Sequence, residues 1–173
     1  MKTRKLNLRL LFRLISVIIF GTVITLLSNC TGAGGKKTGS IDSTKGLKDF
    51  YKSYFDIGVA IAPQHTEGAD AEFLKRHFNS ITAENVMKPA LIHPEENRYS
   101  WENADKIVDF AIANGMKVRG HTLCWHAQTG EWMFKDASGN QASKELALAR
   151  LKDHITTVVT RYKDKVYAWD VLN

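Results

Sequence analysis

The sequence predicts an α/β fold with parallel strands, built as about the first four strands and three helices of a (β/α)8 TIM-type barrel. Three observations predict it. From about Leu47 onward, short β-branched apolar runs alternate with segments of helical periodicity, the pattern of strands joined by helical crossovers. Four such strands are half of a barrel whose usual size is ~250 residues. No segment resembles a Gly-rich nucleotide turn. A doubly wound open sheet would show the same alternation, so the missing turn favours the barrel without excluding the sheet.

The elements follow in order. Phe55 to Ile61 (FDIGVAI) reads as a first strand that ends just before Pro63. Ala69 to Phe78 carries Phe73, Leu74 and Phe78 at helical spacing, and Ser80 to Asn85 reads as a second strand. The clearest helix follows: Ala104, Ile107, Val108, Ala111 and Ile112 fall on one face at i, i+3, i+4, i+7 and i+8. Ser100 is its expected N-cap, Glu102 suits the positive first turn, and Asn114-Gly115 supplies the stop. Lys117 to His126 reads as a third strand. Lys144 to about Lys163 is a long helix with Leu151, Ile155, Val158, Val159 and Tyr162 along one stripe, and Val166 to Asn173 is a fourth strand.

Three segments divide the chain: a signal peptide over 1–29, a Gly/Ser/Thr/Lys-rich tether over 30–45, and a domain over 46–173. The leader has a basic start (Lys2, Arg4, Lys5, Arg9, Arg13) and an uncharged apolar run from Leu14 to Leu27, too short to span a bilayer comfortably. Leu27-Ser28-Asn29-Cys30 resembles a bacterial lipobox, which makes Cys30 the expected lipidation site and the envelope or beyond the expected location. Asn29 departs from that pattern, so plain secretion or an uncleaved anchor competes with lipidation. The net charge of +6 invites a nucleic-acid reading, but the five leader cations supply most of it: 24 − 5 = 19 basic residues remain against 18 acidic ones. The body of the protein therefore has no phosphate-binding surplus, and no nucleic-acid partner is expected. Cys30 and Cys124 are the only cysteines, which gives no disulfide framework; Cys124 reads as a small buried apolar residue.

The informative polar residues sit at strand ends, where a (β/α)8 enzyme builds its site. The second strand ends in Thr82-Ala83-Glu84-Asn85-Val86-Met87-Lys88, the third in Gly120-His121-Thr122-Leu123-Cys124-Trp125-His126-Ala127-Gln128, and the fourth in Trp169-Asp170-Val171-Leu172-Asn173. Amides and charges hydrogen-bond sugar hydroxyls, and an aromatic ring offers a flat apolar face to a pyranose. In order and separation, TAENVMKP, GHTLCWHAQT and WDVLN resemble the signature segments of family-10 glycoside hydrolases. The resemblance runs from about Asp56 to the last residue. It implies a retaining endo-β-1,4-xylanase that needs no metal or organic cofactor, acts on xylan or xylo-oligosaccharides, and is a monomer at full length.

Carried over residue by residue, the resemblance implies that Glu84, Asn85 and Lys88 hydrogen-bond the sugar one place from the cleaved one. It places His121, Trp125 and Gln128 around the sugar undergoing cleavage, with His126 supporting them. Asn173 matches the asparagine that bonds the 2-hydroxyl and immediately precedes the acid/base glutamate. Cys124 stands where a β-branched residue is common and Gly130 where proline is common. Retaining hydrolysis needs two carboxylates roughly 5–5.5 Å apart, and the matching positions for both lie past Asn173. The 173 residues alone are therefore expected to be inactive and, with an open edge on the fourth strand, prone to aggregate.

Each signal has a plainer reading. Glu84 and Lys88, four apart, suit a surface ion pair, and His121 suits a core histidine. His121, Cys124 and His126 suggest a metal site, but strand alternation puts His121 and Trp125 on one face and Cys124 and His126 on the other. Trp169 reads as a core aromatic, Trp125 as the sugar platform, and Asp170 as a partner in an internal hydrogen bond or ion pair. A non-catalytic carbohydrate-binding envelope lipoprotein is the competing function.

Overall fold

The structure, a computed structural model, describes residues 42–173. The expected signal peptide, Cys30 and most of the tether lie outside the described residues. The elements run α1 (Leu47–Tyr51), β1 (Gly58–Ile61), a 3-10 turn (Pro63–Thr66), α2 (Gly68–His77), β2 (Ser80–Ala83), α3 (Pro89–Ile92), α4 (Glu102–Ala113), β3 (Lys117–Cys124), a second 3-10 turn (Glu131–Phe134), α5 (Lys144–Arg161) and β4 (Val166–Leu172). The four strands form one parallel sheet in the order β1-β2-β3-β4.

That order decides between the two α/β architectures. A doubly wound sheet reverses its strand order at a switch point; here each strand is simply added beside its predecessor. The burial pattern agrees. Ala60, Thr82, Arg119 and Ala168 are register partners across all four strands, and among the described residues no helix covers their face: Ala60 and Arg119 are exposed. On the opposite face Ile61, Ile81, Ala83 and Val118 are buried and join Leu74 of α2, Ile107 and Val108 of α4, and Val158 of α5 in one core. Parallel strands added in sequence, with their crossover helices packed on one common face, are what a barrel wall presents.

The strands begin at a common polar seam. The Asn79 side chain accepts from the Ile57 amide (2.7 Å) and donates to Asp56 (3.0 Å), while Lys117 reaches the same Asp56 (2.6 Å). This capping starts β1 at Gly58 rather than at the expected Phe55, whose ring stacks on Tyr51 instead (centroids 5.2 Å apart). The other strand ends are also shorter than expected: β2 stops at Ala83, β3 at Cys124 and β4 at Leu172.

Helix faces follow the apolar periodicity with local exceptions. In α2, Ala71 and Leu74 are buried while Phe73 stands outside at 56% exposure. In α4, Ala104, Ile107, Val108 and Ala111 are buried, and Ile112 in the last turn is exposed. Trp101, not Ser100, occupies the N-cap position of α4, with no side-chain cap. Aromatic packing replaces the cap: Trp101 stacks on Tyr99 (4.6 Å, 3°) and lies under the Arg161 guanidinium (4.6 Å). The Asn114-Gly115 stop forms as expected, with Gly115 at φ 64° and the Met116 amide returning to the Ala111 carbonyl (2.8 Å). Ser143 caps α5 by accepting from the Leu146 amide (3.2 Å). Within α5 the fully buried positions are His154 and Val158, with Tyr162 buried just past its end.

Candidate active site

The tip of β2 is fastened to its neighbour before it diverges. The Glu84 amide donates to the Ile61 carbonyl at the end of β1 (2.9 Å), and the Glu84 side chain is left exposed. A tight turn follows, in which the Lys88 amide donates to the Asn85 carbonyl (2.8 Å). The Lys88 ammonium then folds back to the Asn85 side-chain oxygen (2.8 Å) and sits 5.0 Å from the centre of the Trp125 ring. Among the described residues Lys88 forms no ion pair with Glu84. Its partners are an amide and an indole face, so the surface-pair reading fails.

The tip of β3 supplies that indole. Because β3 ends at Cys124, Trp125 and His126 belong to the following connection. The register shifts between His121 and Cys124, and Thr122 and Leu123 are both buried. Simple alternation therefore does not govern this stretch, and the face assignment that paired His121 with Trp125 does not hold. The loop is held from within and without: Thr129 donates its hydroxyl to the Trp125 carbonyl (2.6 Å), and the Gln128 carbonyl accepts the Ala90 amide of α3 (2.7 Å). Gln128 adopts left-handed backbone (φ 50°) with its side chain exposed. His126 meets Trp125 edge-on at 5.8 Å. Cys124, free and half-buried, lines a largely apolar cavity of about 210 Å³ beside Trp125, with Pro89, Leu123, Met133 and Leu151.

At the third tip His121 is held by β4. Its Nδ1 lies 2.9 Å from an Asp170 carboxylate oxygen, and the other carboxylate oxygen takes the Arg119 guanidinium (Nε 3.0 Å). Hydrogen bonding from Arg119, then from His121, holds the Asp170 carboxyl below the usual aspartate range against the opposing effect of burial. An ionised Asp170 on Nδ1 favours the Nδ1–H form of the imidazole and leaves Nε2 as the unprotonated, accepting nitrogen. The Thr122 hydroxyl donates to the Asp170 carbonyl (2.8 Å), and the Asn173 amide donates to the Cys124 carbonyl (3.0 Å), continuing the β3–β4 ladder to the last residue. Trp169 faces the helices, where it packs toward Tyr162 (6.4 Å).

The structure thus joins Asn85, Lys88 and Trp125 in one contact chain and ties His121 to Asp170. Glu84, Gln128 and Asn173 are placed at the same ends of their strands through backbone bonds, with exposed side chains. A cation, an amide, an imidazole nitrogen and an indole face at one sheet edge can bind vicinal hydroxyls and stack a ring. Arg119 is the residue that the sequence reading missed. It stands two positions before His121 on the same strand face, and that spacing was the available signal.

Comparison with known proteins gives this geometry a family. The model of glycosyl hydrolase family 10 matches residues 46–173. The chain belongs to that family. A similar relative is endo-1,4-beta-xylanase B of Paenibacillus barcinonensis, 58% identical over 129 residues, covering 73% of this chain and 38% of the relative. Among solved structures, an endo-1,4-beta-xylanase from Caldicellulosiruptor owensensis is 53% identical with a TM-score of 0.72, covering 75% of this chain and 39% of that one. A mutant in complex with xylotriose is 50% identical with a TM-score of 0.71, covering 73% and 38%. The chain therefore spans about two fifths of the length of the family-10 relatives it matches, and its four strands are part of a (β/α)8 barrel.

Proposed function

We propose that the protein hydrolyses internal β-1,4-xylosidic linkages in xylan by a retaining double displacement, and that the strand tips described above bind the sugar chain. The observation that carries this reading is the Asn85–Lys88–Trp125 contact chain beside the Asp170-held His121, in a member of a family with many xylanase relatives. On this reading Glu84, Asn85 and Lys88 bond the hydroxyls of the xylose one place from the cleaved one, while His121, Trp125 and Gln128 surround the sugar at the cleaved bond, with Trp125 as its stacking platform. Asn173 bonds the 2-hydroxyl. The xylotriose complex of a relative supports a xylo-oligosaccharide as ligand.

The two carboxylates of the reaction are proposed to follow Asn173, the acid/base immediately and the nucleophile on a later strand. Asp170 is unsuited to either role: its oxygens are engaged by Arg119 and His121, and its depressed pKa leaves it without a proton to donate. The 173-residue polypeptide alone is accordingly proposed to be inactive, and the active protein a monomer. Cys30 is proposed as a lipid anchor that holds the exported enzyme at the cell envelope; Cys30→Ala should then move it from the membrane fraction to the soluble one.

The test is to express the complete reading frame and incubate the product with xylan while following the anomeric protons by NMR. Short xylo-oligosaccharides appearing first as the β-anomer are expected, with no release by the 173-residue polypeptide. Absence of hydrolysis, or α-anomer first, would overturn the proposal.

A further inference from the structure

Two histidines outside the candidate active site meet in the interior. His93, just after α3, and His154, on the inner face of α5, are 2% and 0% exposed, with their Nδ1 atoms 3.1 Å apart and their rings nearly parallel. Neither Nε2 has a hydrogen-bond partner among the described residues. A hydrogen bond between two Nδ1 atoms requires one ring to donate and the other to accept, so the rings must be opposite tautomers. Adding a proton to the accepting Nδ1 would face two N–H groups at 3.1 Å. The accepting ring already carries its proton on Nε2, so the only other site open to a proton is Nε2 of the donating ring, which has no hydrogen-bond partner among the described residues.

The pair sits at a junction of three segments. The His93 ring stacks on Tyr99 (3.8 Å) and against Trp132 (4.5 Å), and its carbonyl accepts the Trp132 indole N–H (3.1 Å). His93 is five residues after Lys88, and the α3 turn between them bonds the Gln128 carbonyl through Ala90. The His93–His154 contact thus pins to α5 both connections that carry the candidate sugar-binding residues.

We propose that this contact is an acid-opened latch, which holds the β2–α4 and β3–α5 connections on α5 while both imidazoles are neutral and lets them go when either takes up a proton.

The charged groups around the pair do not rescue the protonated form. From α5 come Asp153, bonded to the Tyr99 hydroxyl (3.3 Å), and Arg150; from the β2–α4 connection comes Glu96, and Arg150 engages it (2.6 Å). The segment after β3 contributes Trp132, and β3 itself a backbone group at Leu123. Asp153 and Glu96 favour the charged imidazole of His93, but burial outweighs them and lowers its pKa. Burial, then the neighbouring His93, lowers His154 to about 4. The sign follows directly. The unfolded chain binds more protons between about pH 6.5 and 4, so the stabilisation is complete above that window and is lost as pH falls through it. For His154 alone, the 6.5-to-4 difference corresponds to roughly a 300-fold change in the unfolding equilibrium.

The test uses the protein expressed from its complete reading frame, with urea midpoints measured by tryptophan fluorescence from pH 7 to pH 4. The parent is expected to lose stability across the window, and H154Q and H93Q, which keep a neutral hydrogen-bonding side chain, to lose much less. Superimposable pH profiles would overturn the latch. Should the variants not fold, histidine ring NMR of the parent decides. Opposite tautomers that resist protonation down to about pH 4 support it, whereas like tautomers or titration near pH 6.5 refute it.

Discussion

Replacing Gly120 with alanine probes the assignment of sheet faces and the frame of the site together. Gly120 lies on β3 opposite Trp169 on β4. A Cβ built on it falls 2.2 Å from Cε3, 2.3 Å from Cζ3 and 2.6 Å from Cδ2 of the Trp169 ring. Carbon atoms rest at about 3.5–4.0 Å, so the indole must retreat by more than ~1 Å. It has little room, because it packs toward Tyr162, which is 1% exposed and meets Trp101 at 6.1 Å. Overpacking of this kind costs about 1–3 kcal/mol, and contact with three atoms of a backed ring puts Gly120→Ala near ~3 kcal/mol. With a urea slope of about 1–3 kcal/mol/M, the midpoint should fall by roughly 1 M or more at unchanged slope. Gly58→Ala is the control, since its Cβ would meet Ser80 at an ordinary 3.6 Å; a change within about 1 kcal/mol is expected. The assay is urea unfolding of the protein from its complete reading frame, followed by circular dichroism. A Gly120→Ala midpoint equal to that of Gly58→Ala would refute the packing argument. Asp170 adjoins Trp169, so the same variant should also weaken binding at His121.

Further outcomes follow from the side-chain contacts. Asp170→Asn removes the carboxylate that orients His121 and should weaken xylotriose binding about tenfold or more, given ~1.5–3 kcal/mol for a hydrogen bond to a charged group; calorimetry measures it. Lys88→Met keeps the alkyl stem beside Trp125 but deletes the ammonium, so affinity should fall while the melting temperature stays nearly constant. Arg150→Ala should lower the melting temperature far more than Arg98→Ala, as scanning calorimetry would show. Arg150 bonds Glu96 and the carbonyls of Trp132 and Lys135 (2.7 Å each), whereas among the described residues Arg98 pairs with exposed Glu95 alone, three residues away.

Much of the fold was legible because a buried strand or helix writes its period into the chain. The α4 face and its Asn114-Gly115 stop are cases in point. Period says less about ends. Ser100 looked like a cap, yet stacking of Tyr99 on Trp101 sets the start of α4. The side chain of Asn79, distant from β1 in sequence, sets where that strand begins. At the candidate site, residue types marked the three strand tips, but pairing across strands was hidden. Asp170 was expected to form an internal pair without its partners being known, and both Arg119 and His121 lie about fifty residues away. Lys88 was weighed against Glu84 by helical spacing, but the chain turns there, and the lysine reaches Asn85 and Trp125. The His93–His154 contact joins positions 61 apart, a distance that no local pattern reports.

The claim that xylan lies across these strand tips is tested most directly by xylotriose titration of the parent and of Trp125→Ala, both from the complete reading frame. Stacking of a sugar on the indole predicts measurable heat from the parent and at least tenfold weaker binding by a variant with an unchanged circular dichroism spectrum. Equal affinity of the two proteins, or no binding by a folded parent, would contradict it.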